Sequence, residues 1–378
     1  MSLIIAPLPY YLVRAGESLH CSCLNRPNPR RNQSRWALKT GSLCRPVEGK
    51  GAGTWRRFSL RELHSATNNF NYDNKLGEGV IGSVYWGQLA SGDQIAVKRL
   101  KVLKAEREFA VEIEILGRVR HKNLLSQLGY CAEGQERLIV YDYMPNLSLF
   151  AHLHGHLAAD STLDWDQRMK IAVGSADGLA YLHHYATPNI IHQDIKASNI
   201  LLDDKFNPLV ADYGLVKLIP EGSTHKGISG YAAPKIGSGK ASESGDVFSF
   251  GILIIELISG KKPIMRVNGE KQAIMKWARP LVSQGRFHDL VDAKLEDKFH
   301  TDELTRLVQI AALCTEIIPE ERPSMQDVVE MLKEATKETV KLPLQQASDS
   351  LCLNEPVFCG THPVGTDVNT TFVSAKQV

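Results

Sequence analysis

Apolar positions along the chain change their period near Met144, and the change divides the body in two. Before it, Lys75 to Gln88 alternates in places, Ser91-Gly92-Asp93 reads as a turn, and Gln94 to Leu100 and Leu138 to Tyr143 read as strands. One helix interrupts them, Lys104 to Gly117, with Phe109, Ile113 and Leu116 on its inward face. After Met144 the spacing is helical: Trp165, Met169, Ala172, Ala176 and Leu179 recur three or four residues apart and make one apolar face. The run from Val247 to Ile258, broken by Ser249, Gly251 and Glu256, is too short to span a bilayer and predicts a buried helix. Ser324-Met325-Gln326-Asp327 after Pro323 predicts another helix start, with Val328, Met331 and Leu332 as its buried stripe. Residues 1–57 and 336–378 carry neither period and read as a disordered flank and tail, 58–69 as a lead-in, and 70–335 as the folded body. The expected class is α+β, with a small β-rich lobe ahead of a larger helical one.

Charge changes this picture at one end. The 44 Lys and Arg exceed the 42 Asp and Glu by two, yet nine of those cations face only Glu48 between His20 and Arg57. That stretch is therefore +8 and the remainder −6, and a slightly acidic body with 7% aromatic residues argues against a nucleic-acid partner. With 43% hydrophobic and 23% charged residues among 378, collagenous and coiled-coil chains are excluded. Of seven cysteines, Cys131 and Cys314 lie in the body and the rest in the flanks, which implies neither a disulfide framework nor a zinc ribbon. Met1 to Val13 is apolar but holds Pro7 and Pro9 with no basic residue ahead, so it reads as neither signal peptide nor span, and Ser2 excludes N-myristoylation. Cys21-Ser22-Cys23 beside the basic run leaves three readings open: a disordered leader, an acylated anchor on anionic lipid, or an Arg-rich transit peptide. The expected location is cytoplasmic, with peripheral plasma-membrane contact if the flank is acylated.

The chemistry is concentrated in three short strings. Gly77-Glu78-Gly79-Val80-Ile81-Gly82 is a GxGxxG pattern followed by the β-favouring Ser83-Val84-Tyr85-Trp86, whereas a dinucleotide site needs a helix there. Glycines at a hairpin tip let backbone amides close over phosphates. Lys98 lies in a β-branched run, and Glu112 falls on the inward face of the predicted helix, where a carboxylate needs a cation; Lys98 is the obvious candidate. His192-Gln193-Asp194-Ile195-Lys196-Ala197-Ser198-Asn199 and Ala211-Asp212-Tyr213-Gly214 follow, near short strands. Asp212 and Asn199 supply the few oxygens that nucleotide-bound Mg2+ wants, Asp194 can accept a hydroxyl proton, and Lys196 offers a cation to a moving phosphoryl group.

In this order the strings resemble those of eukaryotic protein kinases over about residues 70 to 335. Phe58-Ser59-Leu60-Arg61-Glu62-Leu63, Ala66-Thr67-Asn68-Asn69-Phe70, Val119-Arg120-His121-Lys122-Asn123, Gly129-Tyr130-Cys131 and Tyr141-Asp142-Tyr143-Met144-Pro145-Asn146 are similar to plant receptor-like cytoplasmic kinases, nearest the Pto-interacting kinase group. The resemblance implies a bilobal protein kinase fold and an ATP site lined by Leu76, Gly77, Glu78, Gly79, Val80, Ile81, Gly82, Ser83, Val84, Ala96, Lys98, Tyr141, Asp142, Met144 and Leu201, with Tyr141 as gatekeeper and Asp142 and Met144 in the hinge. It further implies ATP and Mg2+ as cofactors, a protein substrate with serine or threonine, an upstream receptor kinase, and Asp246 as anchor of the catalytic loop. Lys196, two residues after Asp194, fits the serine/threonine pattern.

Several positions depart from that family. Gln193 replaces an arginine that commonly receives an activation-loop phosphate, and Tyr213 for phenylalanine reads as mild. The segment from Asp212 to Pro234 is short and keeps only Ser223, Thr224 and Ser229. Ile228 stands at a threonine position, and Lys235 replaces a glutamate whose partner would be Arg322, leaving two cations facing each other. An active kinase and a pseudokinase acting as a scaffold are the two readings this leaves. His152, His154 and His156 alternate, but without a Cys or carboxylate cluster they read as a solvated loop rather than a metal site.

Overall fold

The computed structural model describes residues 56–79, 81–101, 109, 113, 116–159, 162–214, 230–234 and 242–337. Six strands form the small lobe in the spatial order β1-β5-β6-β4-β3-β2: β1 Arg56–Arg57, β2 Lys75–Glu78, β3 Gly82–Gln88, β4 Gln94–Leu100, β5 Gln127–Glu133 and β6 Glu136–Asp142. The expected turn is present between β3 and β4, where Gly92 takes φ 94° and Leu89 N–H donates to Asp93 O. In β4 the side chains alternate between two destinations. Ile95 and Val97 are buried among Phe58, Leu63, Phe70, Cys131, Leu138 and Val140, while Ala96 and Lys98 take the opposite face. That period of two is why one strand both builds the small core and presents a lysine to the cleft.

The lead-in folds with this lobe. Helix α1, Leu60–Ala66, starts at Ser59, whose Oγ accepts from Glu62 N–H, and it buries Leu63 in the same cluster. β1 runs parallel to β5, and Gly129 is needed there because a Cβ would lie 1.8 Å from Arg56 O. Phe109, Ile113 and Leu116 are helical and buried, as the pattern predicts, while Glu112 lies outside the described residues.

The large lobe holds α2 Leu149–Leu153, α3 Trp165–His184, α4 Glu243–Ser259, α5 Ile274–Ser283, α6 Thr301–Cys314 and α7 Met325–Lys337. Two hairpins join them, β7 Ile200–Leu202 with β8 Pro208–Val210, and β9 Ile264–Val267 with β10 Glu270–Ala273. Asp164 and Gln167 close a capping box on α3, and α4 ends at Gly260, which takes the left-handed φ 62°. The apolar run becomes α4, buried almost all round against α3 and α6. β8 is stitched to the segment ahead of β5: Val210 N–H donates to Asn123 O at 2.9 Å and Leu125 N–H to Val210 O at 2.9 Å. β7 is stitched to the segment after β6, with Leu202 N–H donating to Leu147 O at 2.8 Å. These bonds hold the loops flanking β7 and β8 beneath the sheet.

Candidate active site

β2 and β3 pair antiparallel, and Gly79 N–H closes the tip on Gly82 O at 2.8 Å. Around Gly77 and Gly79 a Cβ would meet nothing within 4 Å, so both leave open space for a ligand, whereas at Gly82 a Cβ would lie 2.3 Å from Arg99 O. Gly82 therefore serves strand packing, and only the first two glycines have room around them. Glu78 is engaged by Lys75 and Lys101, Ile81 and Ser83 are buried, and Val80 lies outside the described residues. Beneath the hairpin, Val84, Ala96, Met144 and Leu201 are half-buried apolar side chains, Leu76 is exposed, and Asp142 ends β6 at the surface. Tyr141 is buried opposite Ala96. Burial, with Asp212 and Tyr213 nearby, pushes its phenol well above its ordinary pKa and keeps it neutral.

Lys98 is 4% exposed, and its ammonium meets Asp212 Oδ2 at 2.6 Å. Burial alone would raise the Asp212 carboxyl, but Lys98, with His192 and Lys196 adding to it, holds it below the ordinary carboxylate range. The partner expected for Lys98, Glu112, is outside the described residues; the described partner is Asp212. Asp212 takes φ 63° and Gly214 φ 74°, and Tyr213 between them is buried, its hydroxyl donating to Leu125 O at 2.8 Å. The tyrosine is thus more than a mild replacement, since phenylalanine has no group to make this bond.

The loop at 192–199 hangs from α4. Asp246, 2% exposed in the first turn of that helix, accepts from His192 N–H at 2.6 Å, Gln193 N–H at 2.7 Å and the His183 ring at 2.9 Å. Two successive amides on one carboxylate hold Gln193 at φ 68°, a conformation a non-glycine residue keeps only when its surroundings enforce it. His192 Nε2 bonds Ala211 O at 2.9 Å and its Nδ1 accepts from Asp194 N–H at 3.3 Å, which assigns the Nε2–H tautomer. Lys196 Nζ reaches Asp194 Oδ2 at 2.6 Å, and Asn199 Nδ2 donates to Asp194 O at 2.8 Å and to its Oδ2 at 3.2 Å. Ala211 N–H donates to Asn199 O at 2.8 Å, so Asp194, Lys196, Asn199, Asp212 and Lys98 share one cleft.

The donor set fits a nucleotide-bound Mg2+. Asn199 spends its Nδ2 on Asp194, among the described residues no donor reaches its Oδ1, and its backbone O holds the N–H of Ala211, next to Asp212 in the chain. Among those residues no cluster of three or more His, Cys, Asp or Glu could cage an ion, so the remaining ligands would be phosphate oxygens and water.

The protein kinase domain family model matches residues 70–332. The chain belongs to the protein kinase family. A PTI1-like tyrosine-protein kinase of Arabidopsis thaliana is 53% identical over 297 residues, covering 76% of this chain and 82% of the relative. The proline-rich receptor-like protein kinase PERK1 of the same plant is 44% identical over 289 residues, and the match spans only 44% of that longer protein. Among solved structures, the pseudokinase domain of BIR2, an immune regulator of the RLK/Pelle family, is 36% identical with a TM-score of 0.65, covering 75% of this chain and 87% of that one. The resemblance to plant receptor-like cytoplasmic kinases of the Pto-interacting type therefore holds.

One expectation needs correction. His152 and His154 are not in a solvated loop: His152 is 5% exposed with its ring on Asn146 O, and the His154 ring is buried against Glu256. Only His156 of the three is exposed. The Arg322 guanidinium donates to the carbonyls of Glu316, Ser244 and Ile317 and lies 5.0 Å from the Phe248 ring centre. Lys235, Ile228, Ser223, Thr224 and Ser229 lie outside the described residues. Sequence reasoning also missed His183, Tyr231 and Glu256. The signal for Glu256 was available: a carboxylate inside the most apolar helix must find donors. Cys131 and Cys314 are buried free thiols, pushed up to about 11 and about 12 by burial, and neither is a reactive thiolate. Among the described residues no helix is long and apolar enough to cross a membrane.

Proposed function

We propose that the chain transfers the γ-phosphate of ATP, as its Mg2+ complex, to serine and threonine hydroxyls of proteins. The Asp194 carboxylate carries the reading: Lys196 and Asn199 both bond its Oδ2, and among the described residues no donor reaches Oδ1, which is left to accept a proton. Asp194 orients the attacking hydroxyl and takes its proton as the new O–P bond forms and the bond from the γ-phosphorus to the bridging oxygen breaks, the electron pair leaving with ADP. Lys196 offers its ammonium to the charge that develops on the transferred group. Lys98 and the amides around Gly77 and Gly79 hold the phosphates, while Asn199 and Asp212 would hold Mg2+, which supplies charge neutralisation on them. Half-buried Val84, Ala96, Met144 and Leu201 offer an apolar bed for the adenine.

Labelled phosphate transfer from γ-labelled ATP, comparing wild type with Asp194→Asn, tests the proposal, and acid hydrolysis of the product separates phosphoserine and phosphothreonine from phosphotyrosine. The last comparison matters because a close relative is named a tyrosine-protein kinase. Transfer that survives Asp194→Asn overturns the assignment. The BIR2 pseudokinase favours a second reading, a nucleotide-binding scaffold without turnover, and a wild-type protein that binds Mg-ATP but transfers nothing would establish it. We place an upstream receptor kinase before this enzyme and its site of action in the cytoplasm or at the plasma-membrane surface, in keeping with its receptor-like relatives.

A further inference from the structure

Glu256 lies in α4 between Ile255 and Leu257, and its side chain is 0% exposed. A carboxylate in that setting is tolerated only with donors on both oxygens. It has two, and they come from distant parts of the chain. His154 Nε2, just past the end of α2, bonds Oε1 at 2.7 Å, and the Tyr231 hydroxyl donates to Oε2 at 2.5 Å. The Tyr231 hydroxyl in turn accepts from Ala197 N–H at 3.2 Å, one residue after Lys196 and three after Asp194. Ser249 Oγ donates to Tyr231 O at 2.9 Å and fixes the tyrosine backbone on the same helix. Burial and the Glu256 carboxylate keep the Tyr231 phenol protonated, so its hydrogen stays directed at Glu256 and its oxygen at Ala197.

We propose that His154 is a positioning residue for phosphotransfer: through Glu256 and the Tyr231 hydroxyl it fixes the catalytic-loop backbone at Ala197. The proposal rests on the kinase reading for its effect on turnover, but not for its effect on the loop. His154 holds one carboxylate oxygen so that the other stays aimed at Tyr231. Without it Glu256 Oε1 is a buried, unpaired acceptor, and the carboxylate turns to recover a donor. Tyr231 then follows Glu256, and the Ala197 amide loses its acceptor. None of the nucleotide-facing groups, Lys98, Asp212 and the Gly77 to Gly79 tip, takes part in this chain of bonds.

Hydrogen exchange of the Ala197 amide, read on a peptide covering 192–199, is measured first because it needs no activity. Tyr231→Phe removes the acceptor and sets the scale. His154→Leu should speed exchange at least about fivefold, and His154→Gln, whose amide nitrogen reaches the place of Nε2, should return it toward wild type. In steady-state kinetics His154→Leu should lower kcat about tenfold with KM for ATP within about twofold. Tyr231→Phe should add little to His154→Leu, because both break the same chain. A His154→Leu protein that melts earlier yet keeps wild-type exchange at Ala197 overturns the proposal, as does a Gln variant that behaves like Leu. If wild type transfers no phosphate, the kinase reading fails and the exchange result alone decides the role of His154.

Discussion

Tyr213→Phe removes one oxygen and nothing else, which makes it a clean probe of how the Asp212 segment is held. The lost hydroxyl is buried and donates to Leu125 O at 2.8 Å, and no other described donor reaches that carbonyl. Deleting the donor leaves an unpaired buried acceptor, a cost of about 1–3 kcal/mol. A central value of about 2 kcal/mol corresponds to a fall of roughly 4–8 °C in Tm for a domain of this size. Burial raises the Tyr213 pKa well above its ordinary value, so the phenol keeps its proton and the loss should be constant from about pH 6 to 9. Tyr72→Phe is the control: Tyr72 is 78% exposed, and its substitution should stay within about 0.5 kcal/mol. Because Tyr213 adjoins Asp212, the increase in Tm caused by Mg-ATP should also shrink in the Phe variant. Differential scanning fluorimetry with and without Mg-ATP, backed by urea melts, reads both effects. A Tyr213→Phe protein that melts with wild type, or falls no further than Tyr72→Phe, would refute the reasoning.

Other consequences are open to equally direct checks. Mg-ATP should raise Tm in wild type, and Lys98→Ala and Asp212→Ala should each diminish the shift; no shift at millimolar Mg-ATP would remove the nucleotide site. Gln127, 3% exposed with an unpartnered Oε1, should be replaceable by Leu with a gain of about 1–3 kcal/mol in a urea melt. Burial alone would raise the Asp177 carboxyl, but Lys333 and Lys122 lower it. Its contribution is therefore present above the unfolded carboxylate pKa of about 3.9 and lost as pH falls through the lower folded value, so Asp177→Asn should flatten the stability curve below about pH 4. Gln193 engages Asp246 through its backbone N–H and has no cation to receive a phosphate, so phosphatase treatment should leave turnover unchanged.

How much of this was legible in the sequence depended on whether a residue's role was local. The turn at Gly92, the β4 alternation and the helix start at Ser324 are set by neighbours in the chain, and the structure has them where the periodicity predicts. The grouping of Asp194, Lys196, Asn199 and Asp212 was legible too, and the structure brings the four into one cleft. What escaped was pairing across distance. β5 shows little alternation of polarity, with Gln127 turned inward, and its place is decided by hydrogen bonds to β6 and β1. The histidine string failed for the same reason: three alternating histidines look alike until Asn146 O and Glu256 select two of them for burial. Tyr213 looked mild because a hydroxyl is judged by its acceptor, and Leu125 O lies 88 residues away.

The apolarity of α4 explains why its two buried acids matter so much. Asp246 and Glu256 are ten residues apart, about 15 Å along the helix axis, and each is buried. Neither has solvent to satisfy it, so each is satisfied by protein donors, and those donors lead to the same loop from two directions. Asp246 takes the amides of His192 and Gln193 directly, while Glu256 reaches Ala197 through the Tyr231 hydroxyl. Asp194 and Lys196 lie between these two attachments. A loop held at one end can pivot, whereas one held at both ends of so short a span has its side-chain directions fixed by the helix beneath it. This predicts that Asp246→Asn and His154→Leu weaken the loop in different places: exchange should rise at His192 and Gln193 for the first and at Ala197 for the second. Exchange that rises uniformly across 192–199 in both variants would mean that the loop melts as one unit, and the idea of two separate attachments would be wrong.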